Sequence, residues 1–592
     1  MQKGYSFRDL LYQVQKYKKN FIIATLAAIL AVAVSTPAPL LMPLLVDEVL
    51  LKKPGIITNT IDQIFGKSQP YFYVLIVLFL TIFLRGVFFI LNVYQSKIFK
   101  IISKDITFNL RKAVLKHIEK TALSEFEIFG SSNISSRLIV DIDTIDNFLG
   151  VSISRLIVSV LTVLGVGIVL LAIHWKLALF ILFLNPFVIF LTTKIARRVG
   201  KLKREENLRF EIFTQALNET LDLFRQIKAA NQEKNFIQKV ILNAKKIKDA
   251  SVEFEYKSDV AAKFSFLVFL AGFEIFRAAG ILMVAYSDLT IGLMLAVFGY
   301  LWVMMNPIQE ILNIQYAYHS AQSALDRINK ILTLKKEPQY PHLKNPFKES
   351  KTNSIKLQNI YFAYEDRDYV LENVSMKIEK GSKIAIIGAS GSGKTTLAQI
   401  MVGFYPVEKG EIYYDDINVK EIGLDVVREH VYLVLQNPQL LNATIRENLT
   451  FGKKVSEDEI YEALKIAQLY DFIKELKNGL DTQIGRDGIK LSGGQRQRLS
   501  IARMIIAKPN VVILDESTSA LDVYTEESLF EALLSGFLKE RTTIIIAHRL
   551  TTIRQADYIY VLDKGKIIEE GTQEFLMKKE GLFFEFLSKG TR

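Results

Sequence analysis

The sequence runs to 592 residues, half of them hydrophobic, with a mean hydropathy of +0.21, too long for one ordinary domain and too apolar for a purely soluble enzyme. Its formal net charge of +12 does not by itself point to nucleic acid, because membrane proteins also gather Lys and Arg in their cytoplasmic loops, and no nucleic-acid partner is expected. The absence of cysteine excludes disulfide frameworks, thiolate zinc sites, iron–sulfur clusters and cysteine nucleophiles together.

A bilayer core takes roughly 20 apolar residues in helical form, and charge-poor stretches of that order recur six times in the first half of the chain. The first, Phe21 to Val46, starts too late and runs too long for a signal-peptide core, so a membrane span is expected there; Pro37, Pro39 and Pro43 predict a kink in it. The second, Tyr71 to Gln95, is interrupted only by Arg85. Leu156 to Ile173 and Leu177 to Thr193 are separated by His174, Trp175 and Lys176 alone, which predicts a tight helical hairpin. The fifth and sixth, about Phe264 to Tyr286 and Leu289 to Gln309, are again nearly contiguous.

Two long connections, Ser96 to Val151 and Lys194 to Asp259, are rich in Lys and Arg with helical apolar spacing. The positive-inside rule places both in the cytoplasm; Lys16, Lys18 and Lys19 agree, and six spans return the chain to its starting side, so both termini are expected there. Such lengths exceed simple loops and predict membrane helices that continue beyond the bilayer and turn back. Residues 1–330 read as this membrane domain. Residues 331–354, with three prolines in KKEPQYPHLKNPFKESKTN, read as a linker. Residues 355–592, where short apolar strands such as KIAIIG and VVILDE alternate with helical segments, read as an α/β domain with a largely parallel sheet.

The segment from Gly388 through Ser390, Gly391, Ser392, Gly393, Lys394 and Thr395 to Thr396 follows one such strand and opens a helical run, the setting that a phosphate-binding loop requires. Its glycines let backbone N–H groups close on phosphate oxygens, Lys394 can reach the β- and γ-phosphates, and Thr395 presents a hydroxyl to Mg²⁺. A second strand ends in adjacent carboxylates, Asp515 and Glu516. One can hold a metal and the other can orient and deprotonate a water. Between them lies Leu491-Ser-Gly-Gly-Gln495 ahead of a helical run, again suited to an anion.

That pentapeptide, with the phosphate loop and VVILDE, resembles the signature of the ATP-binding-cassette (ABC) family, and from about residue 10 onward the chain resembles a bacterial ABC exporter half-transporter. The resemblance implies an α-helical transmembrane domain with six spans followed by an α/β P-loop nucleotide-binding domain. It also implies ATP and Mg²⁺ as ligands, Tyr364 stacked on adenine, Asp515 and Gln436 at the metal, Glu516 and His548 in hydrolysis, and Ser519 to Asp522 crossing a dimer interface. Two chains would sandwich two ATP molecules, with Ser492, Gly493, Gly494 and Gln495 of one facing the phosphate loop of the other. An identical partner is the simplest assembly, and a different one stays open. Arg486 stands where many exporters carry Glu, which puts that cross-contact in doubt.

For the membrane half, the resemblance implies short helices at the cytoplasmic tips, here near Phe129 to Arg137 and Phe213 to Leu223. Charges inside spans invite a functional reading: Arg85, Glu274 and Arg277. The last two share a helix face and can simply neutralise each other; lining a cavity with Arg85, they would suit an amphipathic or anionic cargo. Phe298, Tyr300, Trp302, Met304 and Met305 read as core, lipid contact or an adaptable substrate wall. The implied function is ATP-driven export or flipping of a hydrophobic or amphipathic compound, lipid or drug-like, across the bacterial inner membrane, among membrane lipids. A peptide or other specific metabolite is the alternative cargo, and an ATP-gated channel or regulator the alternative class.

Overall fold

The computed structural model describes the chain except residues 1–3, 54, 68, 287–288, 365–367, 486–487, 489, 547–552 and 590–592; the side chains of 11, 15, 56–57, 177, 180–198, 265, 269, 312, 587 and 589 are also outside the description. It divides into two compact units, Met1–Leu115 with Ser132–Thr333, and Lys116–Ser131 with Leu334–Arg592.

The first unit is helical. Among the described residues five helices are long and apolar enough to cross a membrane: Lys18–Leu50, Pro70–Ile118, Ser131–Ile173, Glu233–Tyr286 and Ile291–Leu332. The fourth expected span, Leu177 to Thr193, lies within the helix Trp175–Asp222, but most of its side chains fall outside the described residues. At 1.5 Å per residue, the 49-residue helix Pro70–Ile118 is roughly 70 Å long, about twice a bilayer core, so it continues well past the membrane as its length in sequence suggested. The hairpin is as tight as expected: His174, with φ −163°, is the one extended residue between Ile173 and Trp175.

The prolines act as anticipated. The helix Lys18–Ser35 gives way to a 3₁₀ turn at Ala38–Leu40 and a π-helical stretch at Leu44–Leu50, because Pro37, Pro39 and Pro43 each lack a backbone donor. This irregular stretch is held from the sixth span. Tyr300 Oη donates to the Thr36 carbonyl at 2.6 Å, and the Gly292 N–H donates to Asp47 Oδ1 at 3.0 Å. A Cβ at Gly292 would lie 2.5 Å from Pro43 Cα, so glycine is what lets the two backbones meet. Tyr300 and Met304 are fully buried, whereas Trp302 is half exposed; the first two belong to the core rather than to a substrate wall.

The short helices at these junctions have other bounds than the sequence suggests. The first short helix is Leu123–Phe129, stopped by Gly130 at φ +81°, and 131–136 already begins the next span. The second is Phe224–Ala229, since Phe213 to Asp222 still belongs to the preceding long helix. Amphipathic periodicity runs through these junctions, and single residues of unusual backbone geometry set the breaks, among them Gly130 and Asn231 at φ +54°.

The second unit holds two sheets. An antiparallel sheet has the order β2 (Leu371–Ile378), β1 (Ile355–Phe362), β4 (Lys409–Tyr414), β5 (Ile417–Asn418). The larger runs β10 (Lys566–Gly571), β9 (Tyr558–Asp563), β3 (Lys383–Ile387), β8 (Thr542–Ile546), β7 (Val511–Asp515), β6 (Val431–Val434), parallel except for β10. Its central strands are apolar on both faces: Ala385, Ile387, Val512, Leu514 and Ile545 pack into one core, and Ile384, Ile386, Val511, Ile513, Ile544 and Ile546 into the other. Parallel strands covered on both sides read as unbroken apolar runs for this reason. Because β3, β6, β7 and β8 point the same way, the loops leaving their C-terminal ends converge on one edge.

Residues 116–131 join this unit through specific bonds. The Ala122 N–H donates to the Lys335 carbonyl (3.0 Å), the Glu337 N–H to the Lys120 carbonyl (2.9 Å), and Tyr405 Oη to Glu127 Oε2 (2.7 Å).

Candidate active site

The phosphate loop leaves β3 and opens the helix Lys394–Val402. Gly393 at φ +101° takes a conformation that a side chain would strain, and a Cβ there would also press to 2.8 Å from Leu371 Cδ2. Lys394 is buried, and its Nζ donates to the Gly388 and Ala389 carbonyls at 2.9 and 2.8 Å. Burial pulls its pKa below the usual lysine value, while Glu516 and Asp515 oppose that shift. Ser392 Oγ is buried with no partner among the described residues, although its backbone is engaged by the Ala389 carbonyl and the Gly565 N–H. An orphaned hydroxyl beside a buried cation and a helix N-terminus fits a phosphate group. Ser390, Gly391 and Thr395 are exposed on the same loop.

Asp515 ends β7 and is buried. Glu516 follows at φ +45°, a left-handed geometry uncommon for Glu and held by two bonds: its N–H to the Ile546 carbonyl (3.2 Å), and its carbonyl from the Ser519 N–H (3.1 Å). Gln436, just beyond β6, donates from Nε2 to Glu516 Oε2 at 2.6 Å. Two sequence candidates separated by 80 residues therefore meet directly. Among the described residues no group of three or more His, Cys, Asp or Glu could hold a metal. Mg²⁺ in phosphate loops relies instead on one or two carboxylates, a hydroxyl and the phosphates themselves; Asp515, Thr395 and Gln436 supply oxygens of that kind, so the donor set fits.

Tyr364 is half-buried. Its hydroxyl pairs with Thr396 Oγ1 (3.1 Å) and donates to Gln399 Oε1 (3.3 Å), and its ring packs edge-on against Phe362 and Tyr405. Ser492 caps the helix Gly493–Ala507 in a reciprocal box, its Oγ accepting from the Gln495 N–H (3.2 Å) while Gln495 Oε1 accepts from the Ser492 N–H (2.8 Å). A Cβ at Gly494 would come within 2.8 Å of Leu521 Cδ2, so the paired glycines let this helix end lie against residues 520–521. Asp522 caps the helix Val523–Ala532, and bonds from the Thr525 N–H and hydroxyl hold its carboxyl below the usual range. His548 and Arg486 lie outside the described residues.

A model of the family described as ABC transporter matches residues 371–519, and one described as ABC transporter transmembrane region matches 21–308. An ATP-dependent lipid A-core flippase of Desulfotalea psychrophila is 30% identical, the alignment covering 97% of each chain. The chain belongs to the ABC transporter family. A lipid A-core flippase of Legionella pneumophila is 28% identical over 97% of this chain and 95% of that one. A Bacillus subtilis protein provisionally named a multidrug export ATP-binding/permease protein is 29% identical over 96% and 97%. A solved structure of a bacterial Atm1-family ABC exporter with ATP bound shares the fold, with a TM-score of 0.82 at 24% identity, over 97% of this chain and 98% of that one.

As an ABC transporter, this multi-pass membrane protein is an ATP-hydrolysing translocase. Its membrane unit contains a cavity of about 840 Å³, lined by apolar residues such as Leu41, Met42, Val77 and Phe88 together with Arg85, Lys100, Arg155 and Glu310. Arg155 Nη1 pairs with Glu310 Oε1 at 3.1 Å. Glu274 and Arg277 pair with each other and are not part of the lining, so of the three charges singled out in sequence only Arg85 faces the cavity. Arg155 and Glu310 stand just outside the apolar runs, a cation opening the third span and a carboxylate one residue past the sixth, so charge within a span does not single them out in sequence.

The short helix Leu123–Phe129 meets Tyr405, whose ring contacts Tyr364 and whose hydroxyl donates to Glu127. Burial and the Glu127 carboxylate push the Tyr405 phenol far above its ordinary value, so it remains a donor. Removing this hydroxyl with Tyr405→Phe should lower cargo-stimulated ATPase about fivefold while basal turnover stays within about twofold. Unchanged stimulation in purified, lipid-reconstituted protein would break the link.

Proposed function

We propose that two copies of this chain form a dimer that couples ATP hydrolysis to the outward movement or flipping of an anionic, lipid-like amphiphile across the bacterial inner membrane, with both termini and the ATP domain cytoplasmic. Within each chain we assign residues 1–330 to the membrane domain, 331–354 to a linker and 355–592 to the ATP domain. The cargo assignment is carried by the cavity, where three cations face one carboxylate amid apolar walls. An anionic head and an acyl body would satisfy both at once. The lipid A-core flippase names of several relatives support the same class.

In the ATP site, Gly388 to Gly393 and the helix N-terminus cradle the phosphates, Lys394 neutralises them, and Tyr364 carries the base. Bound Mg²⁺ would screen the phosphate charge, held by Thr395, Asp515 and Gln436. Glu516 orients the attacking water and takes its proton as oxygen adds to the γ-phosphorus and the bond to ADP breaks; His548 supports the γ-phosphate. Ser492 to Gln495 and Asp522 would complete the partner's site, which makes the dimer the working unit.

The test uses ATPase stimulation by phosphatidylglycerol against phosphatidylcholine in detergent micelles. Wild type should respond to the anionic lipid, and Arg85→Ala with Arg155→Ala should lose about tenfold in its half-saturating concentration. Equal responses to both lipids, or no change in the double variant, would refute the anionic cargo.

A further inference from the structure

Gln497, which follows the Leu491–Gln495 segment by two residues on the helix Gly493–Ala507, is 3% exposed and has its side-chain amide committed in three directions. Its Nε2 donates to the backbone carbonyl of Gln436 at 3.0 Å and to Ser519 Oγ at 3.1 Å, and its Oε1 accepts from the Ala520 N–H at 3.0 Å. These partners are not scattered. Gln436 is the residue whose side chain holds Glu516 Oε2, and Ser519 is the residue whose N–H holds the Glu516 carbonyl. One buried amide therefore grips both structures that fix the carboxylate, the loop that contacts its side chain and the turn that contacts its backbone.

We infer that Gln497 is a positioning residue for ATP hydrolysis: it fixes the loop at Gln436 and the turn at 519–520 relative to one another, and through them sets the orientation of Glu516. The geometry leaves little slack, since a Cβ at Gly493 would stand 3.3 Å from Ala520 Cβ and the amide is enclosed. Glu516 is also held in a left-handed backbone conformation that needs support from its surroundings. Loss of the amide would leave the phosphate loop intact, because none of its bonds reach residues 388–396. The consequence belongs to turnover rather than to nucleotide affinity.

The inference rests on the role proposed for Glu516, and the experiment separates the two. In full-length protein reconstituted in lipid, Gln497→Met keeps the side-chain length and removes all three bonds; Gln497→Glu keeps the acceptor for Ala520 and removes both donations. Each should lower kcat by about 10- to 100-fold with the ATP KM within about threefold. Combined with Gln436→Ala, the loss should be smaller than the product of the two single losses, since one of the two routes from Gln497 to Glu516 runs through the Gln436 side chain. A wild-type kcat in both Gln497 variants, a KM rise matching the fall in kcat, or multiplying losses in the double variant would overturn it. If Gln497→Met does not fold, Gln497→Glu decides on the same criteria. A slow Glu516→Gln beside fast Gln497 variants removes only the positioning role, whereas a fast Glu516→Gln removes both.

Discussion

Replacing Glu516 by Gln should slow ATP hydrolysis by about 10²- to 10⁴-fold, about 3–5 kcal/mol on the barrier, while ATP still binds. The substitution is nearly isosteric, and an amide oxygen can still accept from Gln436 Nε2, which lies 2.6 Å from Glu516 Oε2. The bonds that hold the left-handed backbone at this position involve main-chain atoms on the Glu516 side and are untouched. What disappears is a group able to accept a proton from water. In the dimer proposed above, hydrolysis separates the closed partners, so the variant should trap nucleotide. Steady-state phosphate release and retention of labelled ATP after gel filtration measure the two halves of this expectation. Turnover at the wild-type rate would take the base role away from Glu516.

Lys394→Ala should fail earlier in the cycle. The ammonium group is buried and held by two carbonyls of the phosphate loop, and burial already disfavours its charge. It stays useful as a cation because Glu516, Asp515 and an arriving phosphate stabilise it. Without it the loop loses its one side-chain cation, and the carbonyls of Gly388 and Ala389 turn inward with no donor, an unfavourable surface for an anion. We expect hydrolysis to fall about 10²- to 10³-fold and ATP affinity at least about tenfold. The contrast with Glu516→Gln is the informative part: one variant loses binding and turnover, the other turnover alone. Nucleotide titration of both side by side checks it, and equal affinities would show that Lys394 acts only in the transition state.

Much of this architecture was legible in sequence for plain physical reasons. A bilayer demands long apolar helices, so hydropathy exposed the spans; a parallel sheet buried on both faces demands unbroken apolar strands, so KIAII and VVILD stood out. The phosphate loop was readable because glycine, lysine and hydroxyl residues each answer a separate need of a bound phosphate. The bounds of the short helices are not legible in sequence, because helical periodicity continues across Gly130 and through 213–222 and only local backbone geometry sets the breaks. Contacts between distant strands were beyond reach. Nothing in LQNPQ announces that Gln436 meets Glu516, or that Gln497 reaches back to both of the segments around it; those pairings come from the convergence of β6 and β7 with one helix. Glu274 and Arg277 were ambiguous for a different reason, since a spacing of three serves an ion pair and a cavity wall equally well, and only the structure shows them paired.

In the proposed cycle, ATP turnover at this site drives a lipid-like molecule from one leaflet to the other. Proteoliposomes of phosphatidylcholine and phosphatidylglycerol, carrying a trace of fluorescent phosphatidylglycerol, allow dithionite to report how much label stays protected as ATP is hydrolysed. Wild type with Mg²⁺ and ATP should change the protected fraction steadily, and Glu516→Gln in the same vesicles should leave it at the level seen without nucleotide. Steady ATP hydrolysis by wild type with no change in protection would contradict the coupling of this site to lipid movement.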